Sequence, residues 1–344
     1  MSAPPFDAIF FLSFGGPEGP DDVMPFLENV LRGRNVPPER LQEVAHHYEL
    51  FGGVSPINGQ NRALIAALEV ELAEHGPALP VYWGNRNWHP LFEDALRRMS
   101  GDGVRRALGF VTSAFSSYSG CRQYREDLER ARAAVGERSP SVEKLRAFHN
   151  HPGFIEANVD RVREALAAFP PERRGRIPIA FTSHSIPLSM AGGCAYEAQL
   201  QETCALVAER VGANPWALAY QSRSGPPSQP WLEPDIREHL KRLRHDDTRE
   251  VVVAPIGFLS DHMEVVYDLD TEAAAVAKQF GLTMRRAAAP GTHPAIVAMI
   301  RELVLERTAG AEPRSLGSRG PLPDVCPADC CLPGAPPPRP VPRA

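Results

Sequence analysis

The sequence predicts an α/β protein of parallel sheets covered by helices and divided into two halves. Three observations carry this. Apolar runs of strand length recur, as in DAIFFLSF (7–14), VYWGNRNW (81–88) and RRALGFVTSAF (105–115). Stretches with helical apolar spacing lie between them, NRALIAALEVEL (61–72) being the plainest. Strand and helix then alternate along the whole chain, the pattern of parallel strands buried on both faces.

In order, the first apolar run ends in Gly15-Gly16-Pro17, which reads as a buried strand and its turn. Helices are expected at about 21–31, 38–50 and 57–75, a strand at 81–88 and a helix at 90–99. A strand at 105–115 and a helix at 119–136 follow. A break is expected at PPERRGRI (170–177), rich in proline and arginine, with no sequence repeat between the halves. Later strands fall near 178–183, 217–222, 250–258 and 282–288, with helices near 152–169, 196–211, 233–244, 266–280 and 294–308. The expected divisions are 1–172, 173–310, with a last helix free to pack back on the first half, and 311–344. The final stretch holds ten prolines, little apolar content and three cysteines. It cannot bury enough to order itself, so it needs a metal or docking on the body.

Composition narrows the function. A net charge of −5 argues against nucleic acid. No apolar run reaches the ~18 residues of a membrane span, so no integral membrane association is expected. The N-terminal MSAPPFDAIFFLSFGG has no basic region ahead of its apolar run, a poor match to a signal peptide, and a cytoplasmic location is expected. There, six cysteines favour metal or redox chemistry over disulfides.

Chemistry concentrates in TSHSIP (182–187) and GFLSDHMEVVYDLDTE (257–272), each following an apolar run. The first puts His184 at a strand end; the second places Glu264, Asp268 and Glu272 four apart on one helical face. An imidazole with a line of carboxylates suits a divalent cation that is held briefly and passed on. Each feature has a plainer reading. His184 also serves as a strand-end cap, the stripe as a solvated face, and Asp261 to Glu264 has the spacing of a helix-capping box. Acids at i, i+4 repel in an isolated helix, a cost that a bound cation relieves.

Taken together, FGGPEGP (14–20), FGGVSPIN (51–58), YWGNRNW (82–88), SYSGCRQYRE (117–126), TSHSIP, YQSRSGPP (220–227) and PIGFLSDHMEVVYDLD (255–270) closely resemble ferrochelatase. The resemblance runs from about residue 6 to 308 and is strongest to the actinobacterial, coproporphyrin-using branch. It implies a chelatase fold of two Rossmann-like lobes with the active site in the cleft between them. It implies a lyase that inserts Fe(II) into coproporphyrin III, giving coprohaem and releasing two protons. His184 and Glu264 would be catalytic and metal-binding, facing one another across the porphyrin, with Asp268 and Glu272 as an outer relay for iron or protons. Ser55 and Tyr124 match porphyrin contacts. Arg32 and Arg34 suit propionates, guanidinium being a forked, permanent donor; Arg86 and Arg223 are weaker candidates. Phe14 stands where many firmicute relatives carry an iron-binding tyrosine; it cannot ligate iron and is expected to pack on the macrocycle.

The tail cysteines form C-x3-C-C at Cys326, Cys330 and Cys331. Similarity to ferrochelatases with a C-terminal 2Fe-2S cluster implies a fourth ligand from the body. Cys121 is the choice, with Cys194 and Cys204 as rivals, and zinc fits the same thiolates. The expected partners are coproporphyrin III and Fe(II), with transient contact to neighbouring haem-pathway enzymes allowed. Protoporphyrin IX as substrate, a non-catalytic porphyrin carrier and a cobalt chelatase remain alternatives. A nucleotide-dependent oxidoreductase does not fit, because Gly15-Gly16-Pro17-Glu18-Gly19 lacks the G-x-G-x-x-G spacing.

Overall fold

The computed structural model describes residues 6–33, 36–226 and 228–334. Its elements run β1 (Ala8–Ser13), α1 (Pro20–Val30), α2 (Pro38–Glu49), α3 (Ile57–His75), β2 (Val81–Asn85), α4 (Phe92–Gly101) and β3 (Arg106–Val111). A π-helical turn, Tyr118–Arg122, opens α5 (Gln123–Val135), followed by β4 (Ser141–Lys144), α6 (Pro152–Ala167) and α7 (Pro171–Arg174). The second half holds β5 (Ile179–His184), α8 (Leu188–Ala191), α9 (Tyr196–Val211), β6 (Trp216–Gln221), α10 (Ile236–His245) and β7 (Glu250–Ala254). Then come α11 (Met263–Val265), a π-helical segment Val266–Ala273, α12 (Ala274–Gln279), β8 (Thr283–Arg286) and α13 (Pro294–Thr308).

The strands form two four-stranded parallel sheets, ordered β2-β1-β3-β4 and β6-β5-β7-β8. β1 is central, with Ile9 opposite both Val81 and Leu108. All six of its residues are buried, which is why it reads as a continuous apolar run rather than an alternating one. One core crosses both sheets: Phe11, Phe110 and Phe148 share it with Phe181, Ile300 and Leu303. α13 packs on α3 and α6, so this late helix lies back against the first half.

Departures from the sequence reading have local causes. The expected strand at 250–258 stops at Ala254, because Pro255 has no N–H to continue the ladder. The helix expected from 233 starts at Ile236, because Asp235 caps it, accepting from Arg237 N at 2.8 Å. β4 was not anticipated; its residues SVEK are half-buried and carry no apolar run. The helix expected at 266–280 begins at Met263 and is π-helical through its middle.

The tail is fastened to the body as far as residue 334 is described. Arg146 grips Glu306 through Nε–Oε2 at 2.7 Å and Nη2–Oε1 at 2.8 Å, and Nη2 also donates to the Arg314 carbonyl. Asn150 Nδ2 donates to the carbonyls of Leu316 (3.2 Å) and Gly320 (2.9 Å). Glu202 accepts from the backbone N–H groups of Ser318 and Arg319, and Arg122 Nη1 donates to the carbonyls of Ala328 and Cys330. Docking, not a metal alone, therefore supplies the order that composition withholds.

The Arg146 and Glu306 side chains are 2% and 6% exposed, so removing one leaves a buried charge unpaired. Arg146→Ala is expected to cost roughly 3–5 kcal/mol in urea unfolding and to open residues 314–324 to protease before the body unfolds.

Candidate active site

The site grows from the carboxyl ends of β5, β6 and β7. Gly257, just past β7, lies so close to β5 that a Cβ there would stand 2.0 Å from Ser183 Oγ. Only glycine permits that approach, and it brings the segment carrying Glu264 against the strand carrying His184. Below His184, Tyr196 OH contacts Ser183 Oγ at 2.6 Å and donates to the His184 carbonyl at 3.0 Å. His184 Nδ1 donates to the Ser185 carbonyl, which turns Nε2 toward Glu264.

Nε2 of His184 lies 3.6 Å from Oε1 of Glu264. The expectation that the two face one another across a porphyrin is corrected by this distance: no macrocycle fits between them. His184 ends β5 and Glu264 follows the neighbouring β7 of the same sheet, so both stand at one edge of that sheet. The capping-box reading of Glu264 also fails. His262 is the N-cap, its Nδ1 accepting from Glu264 N at 3.2 Å, which leaves the Glu264 carboxylate uncommitted to the helix end. Gln221, the last residue of β6, donates from Nε2 to the Glu264 carbonyl at 2.8 Å.

The stripe is graded in charge. Burial alone would depress the His184 imidazole, but Glu264 and the Ser185 carbonyl outweigh it and raise it to about 9. Burial pushes the Glu264 carboxyl up, but His184 overcomes this and holds it at about 2. The resting pair is thus imidazolium and carboxylate. Asp268 is pushed up to about 7 by burial, against the opposing Ser222 hydroxyl that donates to it, with Glu264 and Glu272 adding repulsion. Glu272 is met by Arg237 Nη1 at 3.3 Å, and Arg237 is also gripped by Asp235. Asp268 and Glu272 ride on the π-helical segment, a rare geometry that clusters at functional sites.

The other expected residues divide. Ser55 is buried beside Gly16, its N–H donating to the Pro17 carbonyl at 2.9 Å. Phe14 is 36% exposed, edge-on to Phe26, with the Arg86 guanidinium 5.8 Å from its ring centre. Tyr124 is buried, and its hydroxyl engages Thr112 and Arg86. Arg86 is committed to Asp127 at 2.6 Å and to the Ser119 carbonyl. Arg32 is exposed and donates to Asn29 Oδ1 at 2.5 Å; Arg223 donates to the Gln229 carbonyl at 3.0 Å. Arg34 lies outside the described residues. Sequence reasoning missed Tyr196, Gln221, Ser222 and Arg237. Gln221 and Ser222 lie within the YQSRSGPP motif, whereas nothing local marks Arg237 or Tyr196.

At the docked tail, Cys121 neighbours Cys326, Cys326 neighbours Cys330, and the sulfurs of Cys330 and Cys331 are 3.4 Å apart. Cys326 and then Lys144, whose Nζ is 3.0 Å from Cys121 Sγ, pull the Cys121 thiol down. Of the rivals, Cys194 lies near Cys330 with its thiol turned to the Met190 and Ala191 carbonyls, and Cys204 is fully buried. Among the described residues, no group of three or more His, Cys, Asp or Glu is arranged around one metal position.

Among the described residues, no helix is long and apolar enough to cross a membrane. The sequence model of the ferrochelatase family matches residues 6–308. A ferrochelatase of Rhodopirellula baltica is 57% identical, covering 96% of this chain and 94% of its own. The coproporphyrin III ferrochelatase of Streptomyces coelicolor is 54% identical, covering 98% and 96%, and that of Mycolicibacterium smegmatis is 50% identical, covering 92% and 94%. Among solved structures, SirB from Bacillus subtilis with Fe3+ superposes with a TM-score of 0.54 at 13% identity, covering 89% of this chain and 96% of SirB, a likeness of fold. The two parallel sheets, the paired His184 and Glu264, and a family match over nearly the whole chain lead to one conclusion: this chain belongs to the ferrochelatase family.

Proposed function

We propose that the chain inserts Fe(II) into coproporphyrin III, with His184 and Glu264 handling metal and protons from one side of the macrocycle. The observation that carries this is the contact of the two side chains, 3.6 Å apart where β5 and the segment after β7 meet, each favouring the charged form of the other. An arriving Fe(II) must displace the proton from His184, since a protonated imidazole has no lone pair to offer. Passing the iron on frees His184 to accept one pyrrole proton, which restores the resting pair. Asp268, poised near neutrality, accepts and releases the other, so two protons leave per iron inserted. Glu272 serves as the outer end of this relay, held by Arg237 rather than kept free for iron. Ser55 and Tyr124 shape the porphyrin pocket, Phe14 packs on the macrocycle, and Arg32 with Arg34 serves its propionates.

Coproporphyrin as substrate follows the relatives from Streptomyces and Mycolicibacterium, which bear that name. A porphyrin carrier would need the pocket but not the graded acid stripe. We further propose that Cys121, Cys326, Cys330 and Cys331 hold a 2Fe-2S cluster. Their chain of contacts, one thiol from the body and three from the docked tail, supports it as a four-thiolate donor set. The cluster would supply stability or sensing, as insertion involves no redox step. The cytoplasm, where thiols stay reduced, is the compartment that suits six free cysteines.

Anaerobic assays should show faster insertion into coproporphyrin III than into protoporphyrin IX. His184→Ala and Glu264→Gln should each lose at least ~100-fold in rate while still quenching porphyrin fluorescence on binding; normal turnover in both would end the assignment. Because the folded His184 titrates above its ordinary value, apparent Zn(II) affinity should rise about tenfold per pH unit between pH 6 and 8. In Glu264→Gln that dependence should flatten above about pH 7, the imidazole having returned to its ordinary range. For the tail, protein purified anaerobically should carry iron and acid-labile sulfide, and Cys121→Ser or Cys326→Ser should lose both. Zinc without sulfide would replace the cluster reading.

A further inference from the structure

Arg286 closes β8, and its side chain is 18% exposed. Its Nε and Nη2 form a two-pronged bond to Asp270, at 2.6 Å to Oδ1 and 2.9 Å to Oδ2. Its Nη1 reaches Asp261 Oδ1 at 2.8 Å and the Ala287 carbonyl at 3.2 Å. One guanidinium thus holds both sides of Glu264: Asp261 three residues before it and Asp270 six residues after. Asp270 stands two residues from both Asp268 and Glu272, so it is off the stripe and free to be used as a handle. Asp261 is tied a second way, its N–H donating at 2.9 Å to Gln60 Oε1 of α3 in the first half.

We propose that Arg286 is a positioning residue for Glu264, pinning the turn before it and the π-helical segment after it in the register that sets the carboxylate against His184. Three physical points support this. A π-helical stretch is rare and occurs mostly as single-turn bulges in α-helices, so eight residues of it need ties from outside. A two-pronged bond to one carboxylate with a further bond to a second needs several donors in a fixed fork, which arginine has and lysine lacks. No metal or porphyrin group is needed to explain Arg286, since four of its five N–H donors are used within the protein. The inference rests on Glu264 acting on the metal, as proposed above, and a displacement of about 1 Å there can cost up to ~100-fold in rate.

The test uses the full-length protein with Arg286→Gln, Arg286→Lys and Asp270→Asn, each also in a Glu264→Gln background. Insertion rate, KM for porphyrin and Zn(II) affinity are measured, with circular dichroism reporting the fold. Arg286→Gln and Arg286→Lys should both lose about 10- to 100-fold in kcat with little change in KM for porphyrin; the lysine, a point charge, should not rescue. Asp270→Asn should reproduce the loss and be non-additive with Arg286→Gln. Zn(II) affinity should fall with Glu264 present and stay put in the Glu264→Gln background. Wild-type turnover in Arg286→Gln would overturn the inference, as would an equal loss of Zn(II) affinity in both backgrounds. Should Arg286→Gln not fold, Arg286→Lys and Asp270→Asn decide alone. Wild-type Zn(II) affinity in Glu264→Gln would instead overturn the role of Glu264 itself, an outcome read without any Arg286 variant.

Discussion

Three carboxylates held along one helical face repel one another, and the structure around Glu264, Asp268 and Glu272 is arranged to offset that repulsion. Each acid receives a different partner from a different element. His184, at the end of β5, takes Glu264; Ser222, just past β6, donates to Asp268; Arg237 of α10 meets Glu272. The partners differ in kind, and the charge state differs with them. An imidazolium keeps the inner acid ionised, a neutral hydroxyl leaves the half-buried middle acid titrating near neutrality, and a guanidinium balances the outer one. A row of like residues becomes a graded path only because its neighbours are unlike.

The parallel sheet makes those partners available. β5, β6 and β7 all end on one edge, where such folds place their chemistry. Proximity there is not automatic. Gly257 lets the segment after β7 fall against Ser183, and Tyr196 braces the strand end from below. The first half of the chain closes over the same region. The His47 ring of α2 stacks on Tyr267 with centres 3.7 Å apart, and Met263 packs among Phe26, Leu27 and Tyr48. Residues of the first half therefore meet the second directly beside Glu264, through its neighbours Met263 and Tyr267.

The tail follows a separate logic. Its composition gives it no core, and its order comes from polar groups of the body: Arg146, Asn150, Glu202 and Arg122. These bonds go mostly to backbone atoms of the tail, so they depend little on its side chains. One consequence is that three cysteines distant in sequence arrive beside Cys121.

Much of this was legible before any coordinates. Apolar runs marked the buried strands because both faces of a parallel sheet must be covered. His184 and Glu264 were legible through the motifs around them, and the i, i+4 spacing placed Asp268 and Glu272 on one face. β4 escaped because SVEK is half-buried and has no apolar run, and the π-helical segment escaped because its apolar spacing mimics an α-helix. The separation of Glu264 from His184 was misjudged, since spacing within a segment says nothing about the distance between segments. By itself the sequence determined the fold class, the family and the residue types at the site, because these depend on local pattern and chemical identity. Only the tertiary structure decided which groups touch: His184 with Glu264, Arg237 with Glu272, Arg286 with Asp261 and Asp270. Those contacts join residues far apart in the chain, and they arise from how two sheets and their helices pack.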